Sequence, residues 1–173
     1  MARTERDNKK MSTTVTAVRL AEVFSPDLIV LGLKQRTKQG VIAELVRRLI
    51  DAGRVEPGNE APLLQLIMAR EEMRSTALGN GIAMPHCRLS LTEQFMGVVA
   101  IDANGIDFGA LDRQPVHLVF LLLAPLDQRE RLFDILGRIS SLRQEKTIRT
   151  LFLGCRSRED VTAILEEMDG SHF

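Results

Sequence analysis

Val116-His117-Leu118-Val119-Phe120-Leu121-Leu122-Leu123-Ala124, closed by Pro125, is the stretch on which the fold turns. A bilayer span needs about 20 apolar residues, so this run is far too short to cross a membrane. A nearly continuous apolar run of this length fits a central strand buried on both faces. Such a strand needs a helical layer on each side. Working outward, helical signals surround it. Before it, Phe95 to Ile101 reads as another strand, and Asn104-Gly105 as a turn. After it, Asp127 with Glu130 three residues on predicts a capped helix carrying Leu132, Phe133, Leu136 and Ile139. A short helix is expected around Glu145 to Leu153. Ser157 with Asp160 predicts the N-cap of a last helix.

The first half follows the same rhythm. Leu28 to Leu33 suggests a strand ending at Lys34. Thr37 stands at an N-cap position, Val41, Ile42, Leu45, Val46 and Leu49 keep helical spacing, and Gly53 stands where a C-terminal glycine belongs. A second helix is expected from Glu60 to Met73, with Pro62 in its first turn. Strands interleaved with helices predict an α/β class: a mixed β-sheet with helices on both faces, in three layers. Residues 1–14 are polar and charged with little to bury, so they read as a flexible tail before one domain spanning 15–173.

Composition narrows the function. The 173 residues carry 23 Lys+Arg and 23 Asp+Glu, so no basic footprint for nucleic acid is present. The N-terminus lacks the apolar core of a signal peptide. Two cysteines, Cys87 and Cys155, make no disulfide framework, and with three histidines they show no zinc spacing. The chain therefore reads as cytoplasmic, without membrane insertion. Dinucleotide, P-loop and nucleophile-elbow patterns are absent: Met84 stands where the third glycine of the first would be.

The segment from Arg70 to Arg88 breaks the helix–strand rhythm. It reads Arg70-Glu71, then Ser75-Thr76, then Gly79-Asn80-Gly81-Ile82-Ala83-Met84-Pro85-His86. His172 reads as a solvated end and His117 as a hydrogen-bonded strand residue. His86 differs, because Pro85 stiffens the backbone that presents it. Glycines at 79 and 81 permit tight turns and close approach of amides to a ligand. A histidine, a guanidinium, hydroxyls and glycine amides suit a transferable phosphoryl group. Read from the residues alone, the segment serves either such a site or a structural loop.

The same ordered residues resemble the active-site segment of IIA domains of the bacterial phosphotransferase system, of the fructose/mannitol type and most of all the nitrogen-regulatory proteins. The resemblance extends from about Leu20 to Met168, including Gly105-Ile106-Asp107-Phe108 and the run ending at Pro125. It implies that His86 accepts a phosphoryl group from an HPr-type phosphocarrier protein and that Arg70 neutralises its charge. It places Ser75, Thr76, Gly79, Asn80 and Gly81 in the phosphate pocket. No metal and no cofactor are implied. Many members carry a second histidine at the start of the helix after the long strand. Here Arg131 is the nearest counterpart.

The resemblance also implies a regulatory carrier acting on target proteins by phosphorylation state. With no IIB or membrane IIC segment before Phe173, that reading is preferred over a transporter component. The alternatives are a protein-binding module with a relic site, and a sugar-specific IIA component passing phosphate to a separate IIB protein.

Overall fold

The computed structural model describes residues 17–171. The expected tail at 1–14 and His172 lie outside them. Six helices and six strands are described: α1 Leu20–Val23, β1 Ile29–Leu31, α2 Lys38–Asp51, α3 Glu60–Met73, β2 Ala77–Gly79, β3 Ile82–Ala83, β4 His86–Leu89, β5 Met96–Ile106, β6 Val116–Pro125, α4 Arg129–Ser141, α5 Lys146–Gly154 and α6 Arg158–Gly170.

The long apolar run is β6, at the centre of the sheet. The order is β1-β5-β6-β3-β2, with β4 also on β6. β5 runs antiparallel to β6, while β1 runs parallel to β5 and both β3 and β4 parallel to β6. The sheet is therefore mixed, as expected.

Alternation along the strands divides the core into two layers. Val119, Leu121 and Leu123 pack on one face with Val41, Leu45 and Leu49 of α2 and Leu63 and Ile67 of α3. Leu118, Phe120, Leu122 and Ala124 pack on the other with α1, α4, α5 and α6. Phe120 meets Phe24 and Phe152 edge-to-face, with ring centroids 5.5 and 5.9 Å away. The three-layer architecture is thus the direct result of a strand that is apolar on every face.

Local chemistry closes the elements largely as the residues predict. The Thr37 side chain accepts from the Gly40 amide at the start of α2. Ser157 and Asp160 form a reciprocal capping box on α6. Two expectations fail. Asp127 does not cap α4: Gln128 occupies that position, with no side-chain cap bond. The chain leaves Pro125 through a turn, in which the Gln128 amide donates to the Pro125 carbonyl, and this sets the helix start one residue late.

Asn104-Gly105 does not end β5 either. It forms an irregularity inside the strand, between the pairs Ile101–Leu118 and Ile106–Val116. The buried Asp102 carboxylate holds it, accepting from the amides of Leu33, Asn104 and Gly105 and from Arg36. Burial raises the Asp102 carboxyl, but these donors outweigh it and hold the group below the ordinary carboxylate range.

Candidate functional site

β3 and β4 are one strand path with a proline in it. Ile82 pairs with Leu118 and His86 with Leu122, so the register against β6 is the same before and after Met84-Pro85. Pro85 has no N–H, but its carbonyl still accepts from the Leu122 amide at 2.9 Å. On the outer side, β2 pairs with β3 only as far as Ala77–Ala83, and the Met84 amide donates to the Thr76 carbonyl. Beyond that rung, among the described residues, no strand pairs with the outer edge next to His86. Arg74 and Ser75 leave the sheet there toward α3, and a cavity of about 270 Å³ opens in the gap.

His86 is half-buried in this cavity. Its Nδ1 lies 2.8 Å from the Met84 carbonyl oxygen. A carbonyl only accepts, so in the neutral ring Nδ1 carries the hydrogen and Nε2 keeps its lone pair. Burial lowers the His86 pKa from its ordinary 6.5. The Met84 carbonyl opposes that, the Arg70 charge adds to the lowering and the Glu71 charge opposes it. The net result is an unprotonated nucleophilic nitrogen at neutral pH.

Arg70 lines the cavity from the last turn of α3, and one of its nitrogens donates to the Arg74 carbonyl at 3.0 Å. Ser75 lines it too. The Ser75 hydroxyl oxygen accepts from the Ala77 amide, which leaves its proton available to a ligand. Arg74 and Arg143 complete the cationic wall. Reading of the sequence missed both. Arg74 follows the last residue of α3 in extended backbone, where helical spacing does not report its direction. Arg143 comes from the α4–α5 connection and carries no sequence signal.

Thr76 has another assignment. Its amide and hydroxyl both bond the buried Glu71 carboxylate, the hydroxyl at 2.6 Å. Lys38 reaches the same carboxylate from the start of α2, at 3.0 Å. Thr76 therefore borders the cavity as part of a clamp, with its proton already committed.

The glycine turn does not meet His86. Gly79, Asn80 and Gly81 have φ of 88°, 54° and 79°, and Asn80-Gly81 is the two-residue connection of the β2–β3 hairpin. Two consecutive positive φ values are what a type I′ turn demands, and Asn-Gly supplies them. Five strand residues from Gly81 to His86 cover about 16 Å. Asn80 and Gly81 line a separate cavity with His117 and Arg149. The Asn80 amide is already donated to Asp112 at 2.7 Å. These glycines serve the hairpin rather than the histidine.

Arg131 is not in the cavity wall either. It bonds Gln128 on the exposed first turn of α4. His117 bonds the Asp102 carbonyl through Nδ1 at 2.9 Å, which bears out its reading as a hydrogen-bonded strand residue. Cys87, next to His86, points into the core, where burial pushes its thiol up to about 12.

The chain that carries this strand-borne imidazole is similar to known proteins. Residues 22–168 match the family described as "Phosphoenolpyruvate-dependent sugar phosphotransferase system, EIIA 2". The chain belongs to this family. It is 31% identical over 146 residues to a nitrogen regulatory protein of Bradyrhizobium diazoefficiens, covering 84% of this chain and 94% of that one. It is 32% identical to a fructose-specific EIIA component of Haloferax volcanii, covering 82% of this chain and 91% of the relative. The crystal structure of the nitrogen regulatory protein IIA-Ntr from Neisseria meningitidis superposes with a TM-score of 0.77 at 29% identity, covering 84% of this chain and 97% of that one. The expected family and architecture are thereby borne out. Among the described residues, no helix of this IIA domain is long and apolar enough to cross a membrane.

Proposed function

We propose that this IIA domain is a phosphoryl carrier: His86 Nε2 accepts a phosphoryl group from an HPr-type phosphocarrier, and the state of His86 governs which target proteins the domain engages. The observation that carries the reading is the Nδ1–H bond to the Met84 carbonyl, which leaves Nε2 unprotonated in a cavity lined by arginines.

The step balances without a cofactor. The Nε2 lone pair forms a new N–P bond as the donor's N–P bond breaks. The donor imidazole departs with the electron pair of the broken bond, and no proton needs to move before attack. Arg70 and the Ser75 hydroxyl face the phosphoryl oxygens, where charge is spread during transfer. With Nδ1 still protonated the product carries a phosphoryl dianion on a cationic ring, a net gain of about −1 at one place on a chain with no net charge. That local change can create or abolish contacts at a docking face. The regulatory side of the proposal is supported by the nitrogen regulatory relatives.

The test is incubation with phosphoenolpyruvate, the first enzyme of the phosphotransferase pathway and its HPr-type carrier. The expected product is an acid-labile, base-stable mass gain that His86→Ala abolishes and Arg70→Ala slows without loss of fold. A wild-type protein that gains no phosphate while the carrier is fully charged would sink the proposal. A label surviving His86→Ala would place it on the wrong residue.

A further inference from the structure

We propose that the cavity between the β2–β3 hairpin and α5 binds a small 2-hydroxycarboxylate, with Arg149 on the carboxylate and His117 Nε2 on the hydroxyl. The site is separate from the His86 cavity and exists whether or not His86 carries phosphate. Along β6, Leu118 pairs at the start of β3 and Leu122 pairs with His86, so about 13 Å of strand lies between the two.

The imidazole comes first. His117 Nδ1 lies 2.9 Å from the Asp102 carbonyl oxygen, so in the neutral ring Nδ1 carries the hydrogen and Nε2 keeps its lone pair. The ring sits between two glycines. A Cβ on Gly81 would stand 3.4 Å from Cδ2, and one on Gly105 would stand 3.2 Å from Nε2. No side chain therefore covers that edge from either glycine. Among the described residues, every side-chain nitrogen or oxygen shut off from solvent has a hydrogen-bond partner. Nε2 has none, so its lone pair is open to the cavity that His117 lines.

The guanidinium stands on the neighbouring residue. Consecutive hairpin carbonyls hold the two groups: Asn80 accepts from one Arg149 nitrogen at 3.0 Å, and Gly81 accepts from the His117 amide at 2.8 Å. The rest of the Arg149 fork bonds no other described residue, and no described carboxylate pairs with it. The wall thus offers a forked cation and, one residue away, a lone acceptor.

That pairing selects the ligand. A carboxylate matches the fork of Arg149. Nε2 accepts only, so it needs an O–H or N–H close to that carboxylate. An ammonium there is repelled by Arg149, which leaves a hydroxyl. Arg149 is the only cation among the lining residues and no acid lines the wall, which suits a monoanion better than a phosphate dianion. Pro115 and Leu153 give an apolar side for a short substituent, in a cavity of about 330 Å³. A metal ion is not favoured: among the described residues, no group of three histidine, cysteine or acidic side chains could hold one.

The experiment titrates the full ¹⁵N-labelled chain at pH 8 with 2-hydroxy-3-methylbutanoate, 3-methylbutanoate, valine and inorganic phosphate, following side-chain ¹⁵N signals by NMR. The hydroxy acid is expected to move His117 Nε2 and the Arg149 guanidinium saturably, and to bind at least about fivefold more tightly than each of the other three. Arg149→Leu should weaken it about tenfold or more. His117→Phe should erase the advantage of the hydroxyl. That variant also loses the bond to Asp102, so the pair of acids, which differ only in the hydroxyl, tests Nε2 without any substitution.

The proposal is overturned if no probe gives a saturable shift, or if 3-methylbutanoate, valine or phosphate binds as tightly as the hydroxy acid. Unchanged binding in Arg149→Leu, or a shift confined to His86, overturns it as well. None of these results bears on phosphoryl uptake by His86.

Discussion

Glu71→Ala tests the buried clamp that joins the end of α3 to β2. The Glu71 carboxylate is 4% exposed and accepts the Thr76 amide at 3.0 Å, the Thr76 hydroxyl at 2.6 Å and the Lys38 ammonium at 3.0 Å. Truncation strands a buried amide, at about 1–3 kcal/mol. It also leaves the Lys38 charge without its partner. Full burial would make that about 3–5 kcal/mol, but the Lys38 side chain is 27% exposed and water recovers much of it. A loss of about 3 kcal/mol in all is the expectation, or about 6–12 °C in Tm for a chain of this size.

Glu71→Gln keeps acceptor geometry toward Thr76 and should lose less. Urea unfolding of wild type, Glu71→Ala, Glu71→Gln and Lys38→Met separates the two contributions. If Glu71→Ala costs less than about 1 kcal/mol, the clamp is not what holds the corner between α3 and β2. The same corner positions Arg70 and Ser75, so the variant should also slow phosphoryl uptake. In Glu71→Gln, loss of the charge that raises the His86 pKa should lower it further. The check is imidazole titration by NMR.

Three further outcomes follow from the same geometry. Gly81→Ala puts a Cβ at φ +79°, 3.4 Å from the His117 ring, and should destabilise by about 1–2 kcal/mol in urea unfolding; an unchanged midpoint would contradict the hairpin assignment. In the native protein a disulfide reagent at pH 8 should modify Cys155, which is partly exposed, and leave Cys87 untouched until denaturant is added. Because the His86 pKa is depressed, the unfolded chain takes up a proton first as pH falls. Stability should therefore decline from pH 6.5 down to the folded pKa, and His86→Ala should flatten that part of the curve. A wild-type curve already flat there would show that the imidazole is not shielded.

Much of the fold was legible because it is written in periods. A run apolar at every position from Leu118 to Ala124 can only be buried on both sides, and α2 and α6 announce themselves by spacing and caps. The failures occurred where a local signal is shared by different structures. Asn-Gly marks a turn, but at 104–105 the Asp102 carboxylate folds it into a strand irregularity, whereas at 80–81 it makes a true hairpin. At 80–81 the sequence also suits a phosphate pocket, because glycine permits both uses.

The proposed acceptor, His86, was legible from Pro85-His86, and the place of Arg70 in the cavity wall from the ordered segment. Arg143 was not, because it reaches the cavity only through the packing of a distant helix connection. The commitment of Thr76 to Glu71 likewise depends on burial that sequence spacing does not report.

The central claim is that the backbone fixes which nitrogen of His86 reacts. Long-range ¹H–¹⁵N correlation on ¹⁵N-labelled protein, phosphorylated by its carrier, reads this directly. The account predicts phosphate on Nε2 of His86, with Nδ1 still protonated and bonded to the Met84 carbonyl. Phosphate on Nδ1, or on the ring of His117, would contradict it.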